Sequence, residues 1–150
     1  MIDYMATPHE QAKQPDAQPF IQEAANGDVA VYNAMWSFWN FAHVFDDLID
    51  GSNWPADKKE QAFKALHDFV VDLLLNPFVQ RNALEMRAMF VSALTRCLDG
   101  DRLAEHPDER QRVLAPALRC ADIDVLMHMA YLHRGWEVMR SYSGKREYDV

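Results

Sequence analysis

Cysteine is scarce in this chain, since Cys97 and Cys120 are the only two among 150 residues. Two cysteines are too few for a disulfide framework, so we expect a reducing compartment, the cytoplasm. Positive charge is also in short supply: 15 Lys and Arg residues stand against 23 Asp and Glu residues, which gives a formal net charge of −8. A general nucleic-acid-binding protein needs a basic face, so that class is not expected.

Uninterrupted hydrophobic runs are missing as well. The N-terminus shows no basic segment followed by an apolar run, so no signal peptide is expected. The longest apolar stretch, residues 29–45, contains Asn33, Asn40 and His43 and is not predicted to span a membrane. Glycine-rich phosphate loops, H-E-x-x-H and E-x-x-H are also absent, which argues against P-loop, zincin and ferritin-like sites.

What the chain does contain is apolar periodicity. Hydrophobic residues make up 49% and charged residues 25% of it, which is typical of a globular protein. The apolar residues recur at helical spacing, so we predict an all-α fold, a helical bundle of about four long helices. Residues 1–25 contain three prolines and are predicted to form a largely extended arm with a short helix over 19–25. Residues 26–143 are predicted to form the bundle domain, and residues 144–150 a loose tail.

The central helix of the bundle is predicted over residues 28–49, in the stretch NGDVAVYNAMWSFWNFAHVFDDLIDG. Asn26 is suited to the N-cap and Gly51 to the residue that follows the helix. Nearly every residue between them is apolar, so this helix should be buried by its neighbours. The side chains expected in the core are Trp36, Phe38, Trp39, Phe41 and Phe45.

Further helices are predicted over 55–75, 77–98, 107–114 and 115–142, with a turn at Asp99-Gly100-Asp101. The core face of the 55–75 helix is predicted to consist of Phe63, Leu66, Phe69, Val70, Leu73 and Leu74. Three arginines are expected to be solvated: Arg81, Arg87 and Arg96.

A narrow polar stripe follows the central helix and ends in a group of acidic residues. His43, Asp46, Asp47 and Asp50 are spaced i, i+3, i+4 and i+7, so all four can approach one point beside the helix. Aspartates at a helix C-terminus have the wrong sign for the helix dipole, and a hard cation would reverse that penalty. The stripe therefore indicates a Mg²⁺ site, with Mn²⁺ as a substitute. The alternative is a solvated acidic helix end.

The sequence FDDLID within this stripe reads D-D-x-x-D. Residues 38–51 resemble the first aspartate-rich helix of class I isoprenoid and terpene synthases, in which the motif holds Mg²⁺ ions that grip a substrate diphosphate. The resemblance implies that Asp46, Asp47 and Asp50 bind metal, and that the chain is a Mg²⁺-dependent lyase or transferase. A pyrophosphohydrolase is a neighbouring hypothesis, because helical nucleotide pyrophosphohydrolases also bind Mg²⁺ through acidic helix residues.

Other polar residues are candidates for the opposite wall of such a site. Asn40 precedes His43 on the stripe, and Asp124, His128 and Glu137 lie on the last predicted helix. An antiparallel arrangement of that helix beside the central one would bring them towards the aspartates. Two cations on the same helix, Arg134 and Arg140, could then meet a phosphate. The alternative is that these are ordinary residues at the edge of a buried helix.

Two classes of function therefore remain open. The first is a Mg²⁺-dependent protein that handles a diphosphate. The second is a non-catalytic acidic interaction protein, of phage or accessory-genome type, which acts through protein–protein contacts. The sequence is short for a synthase barrel and lacks the second metal motif, N-D-x-x-S-x-x-x-E. The first class needs a pocket lined by the aspartates, and the second an exposed apolar or acidic patch. A homodimer is expected, because a small bundle offers few neighbours to cover an aromatic-rich helix.

Overall fold

The structure, a computed structural model, describes residues 17–50 and 56–143, and the side chains of residues 17–44 and 59–142. Every regular element within these ranges is a helix, which confirms the all-α prediction for them. The chain divides between Arg81 and Asn82 into two compact units, whereas the sequence predicted one domain over 26–143.

The first unit contains five helical elements. They are α1 (Ala17–Ala25), α2 (Val29–Asp50), α3 (Ala56–Phe69), a π-helix (Val70–Leu74) and α4 (Pro77–Arg81). Each of the other four packs against α2. The short helix predicted within the N-terminal arm is present as α1 and begins two residues earlier than predicted; it buries Phe20 and Ile21. Residues 1–16, and Gly51 at the predicted end of the central helix, lie outside the described residues.

The start of α2 differs from the prediction in its capping residue. Asn26 is not the N-cap, because with a φ of 48° it lies in the left-handed region, as does Gly27 at 84°. These two residues form the turn between α1 and α2. Asp28 caps α2 instead, since its carboxylate accepts a hydrogen bond from the backbone N–H of Val31 at 3.2 Å.

α2 contributes large aromatic side chains to the core of the first unit. Phe38 and Trp39 are buried as predicted, whereas Trp36 and Phe41 are half-buried, and the side chain of Phe45 lies outside the described part. Phe41 stacks on Phe69 with ring centroids 4.1 Å apart, which joins α2 to the end of α3.

Asn76 joins the π-helix to α4. The break predicted at Asn76-Pro77 is confirmed, and the structure shows what holds it. The buried side-chain carbonyl of Asn76 accepts from the backbone N–H groups of Phe78 at 2.9 Å and Val79 at 3.4 Å. Its amide donates to the carbonyl oxygen of Ala30 on α2 at 2.8 Å. One side chain therefore caps α4 and ties it to the start of α2.

The second unit also contains five helices: α5 (Ala83–Ala104), α6 (Glu109–Arg112), α7 (Ala115–Arg119), α8 (Ala121–Arg134) and α9 (Trp136–Ser143). α5 packs against α6, α7 and α8, and α9 packs against α8. The single helix predicted over 115–142 is wrong, because the chain breaks at Cys120 and again at Gly135. Gly135 has a φ of 84°, a conformation that glycine adopts without steric cost.

The predicted turn at Asp99-Gly100-Asp101 is also wrong, since α5 continues through these residues to Ala104. Tertiary packing explains the glycine. A Cβ atom at position 100 would lie 3.2 Å from both the carbonyl oxygen of Ala115 and the backbone nitrogen of Arg119. Gly100 therefore permits a close approach of α7 to α5. The helix predicted over 77–98 is interrupted instead at Asn82, between α4 and α5.

Candidate functional site

The polar stripe of α2 has definite partners within the first unit. Ser37 is buried and donates a hydrogen bond from its hydroxyl to Asp72 of the π-helix at 3.3 Å. Asn33 and Asn40 are half-buried, and His43 is buried. The stripe thus runs along a surface of α2 that is largely covered by protein.

His43 has a defined ring orientation. Its Nδ1 lies 2.8 Å from the carbonyl oxygen of Trp39, and its ring meets the Trp39 indole edge-on with centroids 4.3 Å apart. A carbonyl oxygen only accepts, so Nδ1 carries the hydrogen and donates it. In the neutral ring Nε2 then carries no hydrogen. Histidines that bind metals commonly donate their other N–H to a backbone carbonyl in this way.

The three aspartates continue the same helix. α2 runs without a break from Val29 to Asp50, so the backbone positions 43, 46, 47 and 50 lie on one side of it. The side chains of Asp46, Asp47 and Asp50 lie outside the described residues. Among the described side chains, no group of three His, Cys, Asp or Glu residues is placed to hold a metal ion.

Asp124, a candidate for the opposite wall, pairs with an arginine of its own unit. Arg96 of α5 donates from its guanidinium to the carboxylate of Asp124 on α8 and, at 3.1 Å, to the carbonyl oxygen of Ala117. The prediction that Arg96 is solvated is therefore wrong. The ion pair is partly shielded from water and links α5 to α8.

The remaining candidates also lie in the second unit. His128 is exposed and approaches Tyr131 edge-on, with centroids 6.2 Å apart. Arg140 lies over the ring of Trp136 at 5.8 Å, a cation–π contact within α9. Glu137 and Arg134 are exposed. The sequence-predicted residues are thus distributed over both units, with His43 and the aspartates in the first.

A second surface feature was missed by the sequence analysis. Four large apolar side chains at helical spacing on α3 and the π-helix are exposed. We call this set the α3 face, and it consists of Phe63, Leu66, Val70 and Leu74. Phe63 is the most exposed of the four, at 74%. The sequence analysis had placed all four in the core, and that prediction is wrong. The other two residues of the predicted core face turn inward, since Leu73 is buried and Phe69 is half-buried, and with the buried Ala65 they form a row of their own. Its i, i+4, i+8 spacing was a signal available in the sequence.

Neighbouring side chains stabilise the ionised carboxylate of Asp68, which lies beside the α3 face. Burial alone would raise the pKa of Asp68, but hydrogen bonds and charge from Lys64 and His67 outweigh burial and hold the pKa of Asp68 below its ordinary value. Asp68 is therefore ionised at neutral pH. Glu60, one turn before Phe63, is exposed.

The second unit carries an exposed apolar row of its own, on α5. We call it the outer seam, and it consists of Leu84, Val91, Leu94 and Leu98, which are 52–80% exposed. The buried residues of α5 are Met86, Gly100 and Leu103, which lie on the opposite side of the helix. α5 is therefore apolar on two sides.

Comparisons with protein-family models, with curated proteins and with solved structures find no match to this chain. In the part of the chain that the structure describes, none of the helices combines the length and the apolar character that crossing a membrane requires.

Proposed function

We propose that this chain is an interaction protein, and that the α3 face of its first unit docks a basic, amphipathic helical segment of a partner protein. The observation that carries the proposal is the exposure of Phe63, Leu66, Val70 and Leu74 in one row. Large contiguous apolar patches are rare on monomeric proteins and commonly mark interaction sites. Spacing of i, i+3, i+7 and i+11 suits a helical partner laid along the row.

The charge of the first unit supports a basic partner. Residues 1–81 contain twelve acidic and five basic residues, a net charge of −7, whereas residues 82–150 contain eleven and ten, a net charge of −1. Nearly all of the excess negative charge thus belongs to the unit that carries the α3 face. Such a field raises the association rate of a basic segment and opposes an acidic one.

A defined pair of peptides tests this proposal. A fluorescein-labelled amphipathic helix of Leu and Lys should bind, as measured by fluorescence anisotropy, and the Leu/Glu peptide of the same pattern should not. Phe63→Ser should weaken binding of the Leu/Lys peptide by at least about tenfold, because it removes an apolar contact worth about 1.5–3 kcal/mol.

Val113→Ser is the matched control, because Val113 is also exposed and apolar but belongs to the second unit. It should leave the affinity unchanged. Equal binding of the Leu/Glu peptide, or wild-type affinity in Phe63→Ser, would contradict the proposal.

Binding of Mg²⁺ and a diphosphate by the aspartate cluster is a second candidate function. It is supported by the continuity of α2 through Asp50, by the Nδ1–H of His43 bound to a backbone carbonyl, and by the D-D-x-x-D resemblance. Carboxylate oxygens are the ligands that Mg²⁺ prefers, and Mn²⁺ also accepts an imidazole. In this function the chain would be a lyase, a transferase or a pyrophosphohydrolase.

Metal should then raise the melting temperature. A cation that binds only the folded chain stabilises it by about 2.7 kcal/mol at 100 times its Kd. We expect such a rise with Mg²⁺ or Mn²⁺ in a thermal scan, a further rise with pyrophosphate, and no metal effect in Asp47→Asn. Asp99→Asn, on α5, should respond to the metal as the wild type does. If neither metal changes the melting temperature of the wild type, the aspartates form a solvated acidic helix end and not a metal site.

We further propose that α2 is the organising helix of the first unit, since α1, α3, the π-helix and α4 all pack against it. The bundle of about four long helices stays a prediction.

A further inference from the structure

We propose that the outer seam of α5 is a homodimer interface, in which α5 packs antiparallel against α5 of a second copy of this chain. The inner side of α5 is already covered, because Met86, Gly100 and Leu103 are buried in a unit where α7 and α8 pack on this helix. The outer seam has no such cover, and its four side chains are 52–80% exposed. The proposal uses other residues than the proposed function and does not depend on it.

The spacing of the outer seam favours a helix as its occupant. Leu84, Val91 and Leu98 are seven residues apart, and Leu94 lies three residues after Val91. Leu84, Val91 and Leu98 thus occupy the a positions of a heptad repeat and Leu94 its central d position, while Arg87 and Asp101 occupy the two outer d positions. In a coiled coil each apolar a or d side chain inserts between side chains of a facing helix with the same repeat. A second copy of the chain supplies a helix with an identical repeat.

The position of the seam on α5 suits a two-fold axis. α5 runs from Ala83 to Ala104, so Val91 and Leu94 lie at its middle. A two-fold axis between these positions places Val91 of one copy against Leu94 of the other, twice. The same surface is then used by both copies, as a closed dimer requires.

The charges beside the seam select the antiparallel direction. Arg87 and Asp101 lie on the same flank of the seam, on opposite halves of α5, and both are exposed. The two-fold axis sets Arg87 level with Leu98 of the second copy and Asp101 level with Leu84 of the second copy. Arg87 of one copy and Asp101 of the other are then three residues, about 4.5 Å, apart along the interface, which a long arginine side chain can span, and this happens twice. Asp101 already accepts from Arg119 at 2.9 Å, and a carboxylate can accept further hydrogen bonds. A parallel pair would place Arg87 beside Arg87, which is unfavourable.

Net charge also explains why the second copy is assigned to α5 and not to the α3 face. Two first units of net charge −7 would repel each other if their α3 faces met, whereas two second units of net charge −1 would repel each other little. One helix pair is smaller than a standard protein interface, so a dimer of micromolar stability is expected.

Sedimentation equilibrium of the full chain tests the proposal. The apparent mass of the wild type should rise from 17.3 kDa towards twice that value as the concentration increases through the micromolar range. Val91→Glu places a carboxylate of each copy against the apolar side chain of Leu94 of the other and should raise the dissociation constant on the order of 100-fold. Val113→Glu makes the same substitution at an exposed position of the same unit outside the seam, and should dimerise like the wild type.

Two further readouts keep the test decisive. Far-ultraviolet circular dichroism of Val91→Glu should match that of the wild type, since the side chain of Val91 is exposed in the single chain. If Val91→Glu loses helical signal, Leu94→Glu replaces it as the test variant. Arg87→Glu should weaken the dimer at low salt and should not tighten it. A wild type that stays at 17.3 kDa, seam variants that dimerise normally, or an Arg87→Glu dimer tighter than the wild type would each overturn the proposal.

Discussion

Replacing Trp39 with alanine should lower the free energy of unfolding by about 3–5 kcal/mol, because it leaves a cavity in a close-packed core. Trp39 is 4% exposed, and its indole contacts the ring of His43. It stands on α2, against which α1, α3, the π-helix and α4 all pack. Denaturant unfolding followed by far-ultraviolet circular dichroism measures the loss.

Trp136→Ala is the matched control, because Trp136 is 59% exposed. Its contact with Arg140 is a surface cation–π interaction, so this variant should cost no more than about 1 kcal/mol. If the two tryptophan variants lose the same free energy of unfolding, α2 does not organise the core of the first unit.

The second large effect is expected at Asn76. Asn76→Ala should cost about 2–4 kcal/mol, because it removes the cap of α4 and leaves the carbonyl of Ala30 without its amide donor. The side chain is buried, so water cannot readily replace these hydrogen bonds. The measurement is the shift of the unfolding midpoint in urea at constant slope.

Asn76→Ser separates the two roles of this side chain. Serine is a good N-cap but is too short to reach Ala30, so its loss of stability should be intermediate. Equal losses in the serine and alanine variants would show that capping contributes nothing. Wild-type stability in the alanine variant would contradict the role of Asn76 as a link between α4 and α2.

Local chemistry in the sequence predicted those features of the fold that depend on nearby residues. The helix over 28–49, the break at Asn76-Pro77 and the short helix before Asn26 follow from caps, proline and apolar spacing within one or two turns. The cap of α2 was placed two residues too early, because Asn26 and Asp28 are equally good capping residues. Only the path of the chain after α1, with Asn26 and Gly27 at positive φ, decides between them.

Long-range packing decided the features that the sequence analysis got wrong. Asp99-Gly100-Asp101 has the composition of a turn, but the approach of α7 makes Gly100 a helical packing position. Arginine is usually a surface residue, but Arg96 forms an ion pair with Asp124 on α8. In each case the deciding partner is at least fifteen residues away in the chain.

The candidate functional surfaces also depend partly on local sequence and partly on long-range packing. The sequence alone determined the all-helical class, the excess of negative charge in residues 1–81 and the placing of His43, Asp46, Asp47 and Asp50 on one side of a helix, because spacing and composition are local properties. The tertiary structure alone decided which apolar rows are covered. The segment 62–74 contains two rows at helical spacing, and α2 covers the one with Ala65 and Leu73 and leaves Phe63 exposed. A helix with two apolar sides does not specify which side faces its own core, since burial depends on the neighbours that fold against it.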